Sequence, residues 1–585
     1  MFETEQKNIE NKIYQYCHEQ GWPEPAIQWN WIPFSGHWGI STSFFQLAAQ
    51  EAKSGKRVIV NQRAQEIAKS LADYLGGSEG FERIEAVNGY LNLYYSTSEF
   101  AWRVVNEVLA KGKSFGRKEA LNQRVMVEFS QPNTHKAFHV GHLRNVILGD
   151  AVSNILDFAG FEVIRANYYG DIGLHVIKWL WNYLKFHNGE KPSGDMVRWL
   201  GDIYAEADRR FESDPAVQEE VRALFGRWDR RDPDIVALWE QSRAWSLEAF
   251  DQVYRTLGVR FDRVYFESEV EESGKELISD LIKKGIARDE RPDGAVIVPL
   301  DEIFGTKEKY RVLVVLRSDG TSLYATKDLP LAIKKFEEYK LDYSIYVIDV
   351  RQSLYMQQIF KTLELMGYSW AKNCYHLAYE IVNLPGNVTM SSRDGTVVLL
   401  EDLIREAVAR ALMVVQQKNP ELPQATKESI ARAVALGAIK YSMLARDNTK
   451  IVTFDWNSAL DFNGQAAPYI QYAFVRANSI LKKAGESIPA CVQASYDLSQ
   501  AEIELIELIS RFPNEVQRSA KEYRPLYLAT LAYEIARSFN DFYNQCPVLQ
   551  AEEPIRSFRI RLVAAARQVI GNCLGVLGII APDVM

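Results

Sequence analysis

A chain of 585 residues with 47% hydrophobic and 25% charged side chains is too long for one core and too balanced for a disordered or collagen-like polymer, so three or four packed units are expected. Its net charge of −8 argues against a protein that coats DNA or RNA nonspecifically, which requires a basic surface. Five widely spaced cysteines without a CxxC pair, a charged N-terminus and no apolar run of about 18 residues speak against a disulfide framework, a zinc ribbon, a signal peptide or a membrane span.

In chain order, residues 1 to about 115 read as an α+β module: helical patterns over Phe45 to Lys53 and Ala64 to Tyr74, then an apolar strand from Gly89 to Tyr95. The polar, basic stretch KGKSFGRKEALNQR suits a linker. A β-type run VMVEFSQ, a helix from Leu143 to Phe158 and a second run from Glu162 to Tyr168 form a βαβ crossover, which implies a parallel sheet. Arg311 to Leu316, a helix from Leu329 to Tyr339 and Tyr343 to Val350 predict a second crossover, with a helical insertion over about 180–270 between the two. Trp199, Trp228 and Trp239 in that insertion read as core. From about 405 only helical patterns remain. Ile560, Val563, Ala566, Ile570, Cys573 and Leu577 recur at spacings of three and four and mark one buried stripe. Lys440, Arg446, Lys450, Arg476, Lys482 and Lys483 are either a basic face for RNA or solvated helix charges.

The chemistry concentrates in EFSQPNTHKAFHVGHLRN, Glu128 to Asn145, where a strand gives way to a helix. Free N–H groups and the helix dipole make such a junction an anion site. His139 and His142, three apart, face the same side of the first turn, and Gly141 leaves room for a flat base to approach. Imidazole N–H groups there can stabilise charge on phosphates. Two histidines one turn apart can also hold zinc, but no cysteine lies nearby and no HExxH pattern occurs, so no bound metal is expected.

HVGH at 139–142 resembles the HIGH element of class I aminoacyl-tRNA synthetases. The longer string, with NYYGDIG at 167–173, resembles the arginyl-tRNA synthetases specifically. LGVRFDRVYFES (257–268), SDGTSLYATKDL (318–329), YVIDVRQ (346–352), MSSRDGTVV (390–398), FDWNSALDFNGQAAPYIQYA (454–473) and FNDFYNQCPVL (539–549) follow in that family's order. The resemblance implies an α/β fold: a Rossmann-like doubly wound parallel sheet as catalytic domain (116–405), an appended N-terminal α+β tRNA-binding domain (1–115) and an all-helical anticodon-binding domain (406–585).

It further implies a monomeric cytoplasmic ligase that activates L-arginine with ATP and Mg2+ and loads tRNA(Arg). Tyr324 and Asp328 would recognise the guanidinium, since a planar cation wants a planar carboxylate. Glu128, Ser130, Asn133 and Gln352 match positions that hold the amino acid, with His142 between it and ATP. Lys136, His139, Gly141, His142, Met390, Ser391, Ser392 and Arg393 match the ATP site, with Lys136, His139 and His142 as its catalytic groups. The family's second signature opens here on Thr389 instead of lysine, which makes Lys136 the expected substitute cation. Tyr90 and Asn92 match tRNA D-loop contacts, and Tyr472 and Arg476 lie on the tRNA-facing side of the helical domain. Phe474 stands where many relatives have histidine.

Overall fold

The computed structural model describes residues 3–55, 57–78, 80–305, 309–384, 388–389, 399–485, 487–490 and 494–585. They form two compact units. One joins Met1–Phe115 with Ala473–Phe512 and Glu534–Asn572; the other joins Gly116–Tyr472 with Pro513–Tyr533 and Cys573–Met585.

The second unit is built on five parallel strands. In chain order these are β1 (Arg124–Glu128), β2 (Glu162–Tyr169), β3 (Arg263–Phe266), β4 (Tyr343–Asp349) and β5 (Cys374–Tyr379), lying side by side as β5-β4-β1-β2-β3. Val125, Met126 and Val127 are all buried, as a parallel strand covered on both faces requires. The direction of winding reverses between β1 and β4, and a crevice opens beyond the carboxyl ends of strands at such a point.

Helix α1 (Val140–Phe158) follows β1 and is buried almost all round, including Arg144, Asn145, Asp150 and Ser153. A Cβ at Gly149 would lie 2.2 Å from the Phe129 ring, so the glycine lets α1 settle on the end of β1. Arg144 is 1% exposed; its guanidinium donates to the carbonyls of Glu380 (2.5 Å), Lys450 (2.8 Å) and Asp447 (3.1 Å), fixing α1 to two loops distant in sequence.

Between β2 and β3 the chain makes four helices, α2 (Leu174–Phe186), α3 (Met196–Ser213), α4 (Pro215–Asp229) and α5 (Pro233–Leu257). Two of them start on an aspartate cap followed by proline, Asp214-Pro215 and Asp232-Pro233, which satisfies a free N–H and presets the first turn. The buried Asp171 closes the excursion. Its carboxylate accepts from the Ser268 N–H (3.0 Å), the Ser268 hydroxyl (2.6 Å) and Arg243 (2.9 Å), and its carbonyl accepts from the Trp239 indole (2.8 Å). Trp228 and Trp239 are core residues, while Trp199 is partly buried against Trp179 and Trp245.

Three expectations need correction. The insertion ends before 270, because β3 at 263–266 is a strand of the main sheet. Leu313–Leu316 does not join the parallel sheet; it pairs antiparallel with Val296–Val298 in a separate three-stranded sheet. Exposed Val312 and Val314 alternate with buried Leu313 and Val315, the period of a strand covered on one face only. The chain beyond 405 also carries a short strand, Val452–Thr453, parallel to Val382–Leu384.

In the first unit, four antiparallel strands lie in the order Asn30–Trp31, Gly39–Ser43, Tyr90–Tyr95, Phe81–Val87. Leu91 and Leu93 point inward, which turns Tyr90 and Asn92 to the opposite face. The C-terminal helix Ile555–Val576 buries Ile560, Val563, Ala566, Ile570 and Cys573 as the spacing predicts, and Leu577 just beyond it is buried too. Phe474 packs against Gly571 (3.1 Å from its absent Cβ) beneath the Arg567 guanidinium. Among the described residues no helix is long and apolar enough to cross a membrane.

Candidate active site

Helix α1 begins after the carboxyl end of β1, and its cap is made of the two motif histidines. His139 Nδ1 accepts from the Gly141 N–H (3.0 Å), and His142 Nδ1 accepts from the His139 N–H (3.3 Å). With both Nδ1 atoms accepting, each neutral ring carries its proton on Nε2. The rings stack with centroids 3.9 Å apart. Burial, reinforced by the Lys136 charge, pushes His139 down to about 4, and burial, with His139 and then Lys136 adding to it, pushes His142 well below the usual imidazole range. Two neutral N–H donors therefore stand at the positive end of a helix. Gly141 matters for a local reason as well: a Cβ there would lie 2.7 Å from the His139 ring.

Lys136 sits over the Tyr204 ring at 4.9 Å. Burial lowers its affinity for a proton and Lys178 adds to this, while Asp208 opposes it. His135 belongs to the core instead. It is fully buried, with Nε2 on Ser242 and Nδ1 on Thr134 (both 2.9 Å), and its ring lies against Trp179.

The ends of β1, β2 and β3 and the start of α6 (Tyr324–Tyr339) bring three carboxylates together around Tyr168, an arrangement we call the acidic cleft. Glu128 ends β1, is 3% exposed, and pairs with Lys335 while accepting from Gln131 (2.9 Å). Glu267 follows β3 and pairs with Lys327. Asp328 accepts from the Tyr355 hydroxyl (2.5 Å). Burial pushes the Asp328 carboxyl up to about 6, with the Tyr355 hydrogen bond opposing and the Glu128 charge adding to the rise. It pushes Glu267 up to about 7, even against Lys327. Tyr168, on β2, feels all three carboxylates, and its buried hydroxyl has no hydrogen-bond partner among the described residues.

The other expected residues are placed as follows. Asn133 bridges to Gly170, and its Oδ1 would lie 2.2 Å from a Cβ there. The Ser130 hydroxyl is engaged with Tyr254 (2.6 Å), while its N–H donates to Asn145 (2.5 Å). Asn145 in turn donates to the Val347 carbonyl (2.8 Å) and Tyr379 (3.2 Å), so the loop after β1 is fastened to β4 and β5. Tyr324 is exposed at the first turn of α6, and Gln352 is exposed beyond the end of β4. Met390, Ser391, Ser392 and Arg393 lie outside the described residues. Next to the histidines, Leu399 bridges to His139 and the Leu400 N–H donates to the Phe138 carbonyl (3.2 Å).

Glu267, Tyr168, Lys327, Lys335 and Tyr355 are constituents of the cleft without a sequence signal of their own. Tyr168, Glu267 and Lys327 fall in stretches that already resembled the family, NYYGDIG, LGVRFDRVYFES and SDGTSLYATKDL, whereas Lys335 and Tyr355 fall in none.

A groove of about 980 Å³ elsewhere in this unit is lined by Arg410, Lys418, Trp456 and Phe462 among others. Arg410 lies over Trp456 (5.3 Å), and Lys418 lies over Phe462 (4.7 Å) and Tyr472 (5.7 Å). In the other unit Arg476 donates to Asn540 (2.5 Å). Tyr90 is 44% exposed against Phe45, and Asn92 is partly buried. Lys440 does not join a basic surface: it is 5% exposed, near Asp150, and donates to the Gly578 carbonyl (2.6 Å).

A family described as tRNA synthetases class I (R), catalytic domain, matches residues 104–456. The chain belongs to this family. A second match, the DALR anticodon binding domain, covers 470–585. The arginine–tRNA ligase of Clostridium botulinum is 36% identical over 88% of this chain and 89% of that protein. That of Bacteroides thetaiotaomicron is 34% identical over 89% and 91%. Among solved structures, Thermus thermophilus arginyl-tRNA synthetase superposes with a TM-score of 0.79 at 30% identity, covering 99% of this chain and all of that one. The fold is thus an α/β doubly wound sheet with a helical C-terminal part, as expected, and the activity class is that of an aminoacyl-tRNA ligase.

Proposed function

We propose that the chain is an arginine–tRNA ligase whose acidic cleft holds L-arginine and whose histidine turn holds ATP. The observation that carries this reading is a set of three carboxylates, two buried and Asp328 partly so, acting on the Tyr168 hydroxyl, together with two neutral imidazole donors at the start of α1. The guanidinium would enter between Asp328, Glu267 and Tyr168, with Tyr324 at the rim. Asn133, Gln352 and the Glu128–Gln131 edge would take the α-amino and α-carboxylate end; Ser130, already engaged with Tyr254, would shape the loop.

One arginine carboxylate oxygen attacks the α-phosphorus of ATP. The bond to the bridging oxygen breaks and pyrophosphate leaves. A hydroxyl of the tRNA terminal ribose then attacks the arginyl carbonyl and AMP departs. No covalent enzyme group is needed, so the acceleration comes from positioning and from donors aimed at developing charge. His139 and His142 would supply Nε2–H donors, Gly141 the close approach, Lys136 the cation that Thr389 lacks, and Met390, Ser391, Ser392 and Arg393 the opposite wall. Mg2+ would arrive on the nucleotide.

For tRNA(Arg), the aromatic and cationic groove suits an unstacked base beside a phosphate. Tyr472 lies next to it. Arg476, and the Tyr90–Asn92 face of the N-terminal domain (1–115), would add contacts. We read the catalytic domain as 116–405 and the anticodon-binding one as 406–585, in a monomer working in the cytoplasm.

The test is arginine-dependent ATP–pyrophosphate exchange with and without tRNA(Arg), in the wild type and Lys136→Ala. Exchange is expected with arginine alone among the amino acids. Lys136→Ala should lose about tenfold or more, as a phosphate-facing cation would. Exchange with a different amino acid would overturn the assignment, and a loss under about threefold would remove Lys136 from it.

A further inference from the structure

The three carboxylates of the cleft are not equivalent. Lys335 is 0% exposed and Glu128 3%, and the two are paired; Lys327 is 8% exposed and Glu267 5%, and they are paired. Nearby Asp171 is matched by Arg243 (2.9 Å). Asp328 alone of the four forms no ion pair among the described residues; its partner is a neutral phenol.

The helix explains the arrangement. Asp328 and Lys335 are seven apart on α6, on one face, so Lys335 reaches Glu128 on β1 from the side that presents Asp328. Lys327, the neighbour of Asp328, is turned about 100° away and meets Glu267 after β3. One helix therefore delivers the uncompensated charge and both compensating ones.

We propose that Lys327 and Lys335 set the specificity of the cleft: by neutralising Glu267 and Glu128 they leave one unmatched negative charge, that of Asp328, for one delocalised positive charge on the substrate side chain. This rests on reading the cleft as the guanidinium site. Buried charge is tolerated only in matched numbers. A neutral side chain of the same shape leaves Asp328 without a counter-charge. Without the lysines the empty cleft would hold three mutually repelling carboxylates and would have to take up protons before it could match a single cation.

The test changes charge in steps that a purely structural role would not follow. In ATP–pyrophosphate exchange with tRNA present, kcat/KM is measured for L-arginine and for L-citrulline, its neutral urea isostere. Glu267→Gln leaves Lys327 unmatched and brings the cleft to neutrality. Its preference for arginine over citrulline should fall by about 30-fold or more, the usual cost of truncating one partner of a buried pair. Glu267→Gln with Lys327→Met restores the single negative charge and should recover at least about tenfold of that loss, although two polar groups are now missing. A double variant no better than Glu267→Gln, or a Glu267→Gln enzyme with unchanged preference, overturns the proposal. If Glu267→Gln does not fold, Glu128→Gln with and without Lys335→Met is read in the same way. Asp328→Asn separates the two claims: if it leaves arginine selection intact the guanidinium reading itself fails, whereas lost selection without recovery in the double variant refutes charge matching alone.

Discussion

Asp328 combines a partly buried carboxyl, pushed up to about 6, with a place beside Tyr168 and Tyr355, and that fixes a pH dependence. Above the shifted value the group is ionised and attracts a guanidinium; as pH falls through it, a proton takes the place of the cation. The KM for arginine should be flat near pH 8 and climb toward about tenfold per pH unit below about 6, with Glu267 starting the rise near 7. Asp328→Asn should flatten the steeper part; a wild-type KM that stays constant from pH 8 to 5 would refute the assignment. Stability moves the other way. The folded carboxyl binds its proton more readily than the unfolded one, so the empty enzyme gains stability from this group as pH falls from about 6 toward the ordinary value of 3.8. At this scale the sequence was legible wherever one residue type at one spacing carries the chemistry, as with His139 and His142. His135 shows the limit. It shares their neighbourhood and chemistry, but Ser242 and Ser246, which hold it in the core, come from a helix more than a hundred positions away.

At the scale of elements, α1 must be held in place before its cap can act. Gly149 lets it lie against Phe129, and Arg144 ties it to three carbonyls of other segments. Gly149→Ala should cost about 1–3 kcal/mol by overpacking, read as a lower midpoint in denaturant, and should lower kcat more than it raises the KM for arginine because the histidines shift together. Unchanged stability would show that Phe129 can move aside. β1, α1, β2 and β4 were readable because their apolar runs are long and bounded by polar or glycine residues. The run at 313–316 is equally β-like, but a run of valines and leucines does not name its neighbour, and pairing with 296–298 sent it to another sheet. Glu267 stayed hidden for the same reason: it becomes a member of the site only because β3 lies beside β2.

For the molecule as a whole, the groove of Arg410, Lys418, Trp456 and Phe462 stands apart from the chemistry and should affect tRNA alone. Trp456→Ala should raise the KM for tRNA(Arg) about fivefold or more, the value of one stacked base, and leave the KM for arginine at saturating tRNA unchanged; equal effects on both would point to misfolding instead. The opposite architecture is seen at Asp171. Because one carboxylate grips both Ser268 and Arg243, the four-helix excursion is pinned where it departs from the sheet and where it returns, and its last helix also holds Ser130 and Asn167 through Tyr254 and His135 through Ser242 and Ser246. Lengthening or trimming the middle helices, Met196–Ser213 and Pro215–Asp229, can therefore remodel what Lys136 meets at Tyr204 while the last helix keeps its hold on Ser130, so the two halves of the reaction centre are free to diversify at different rates.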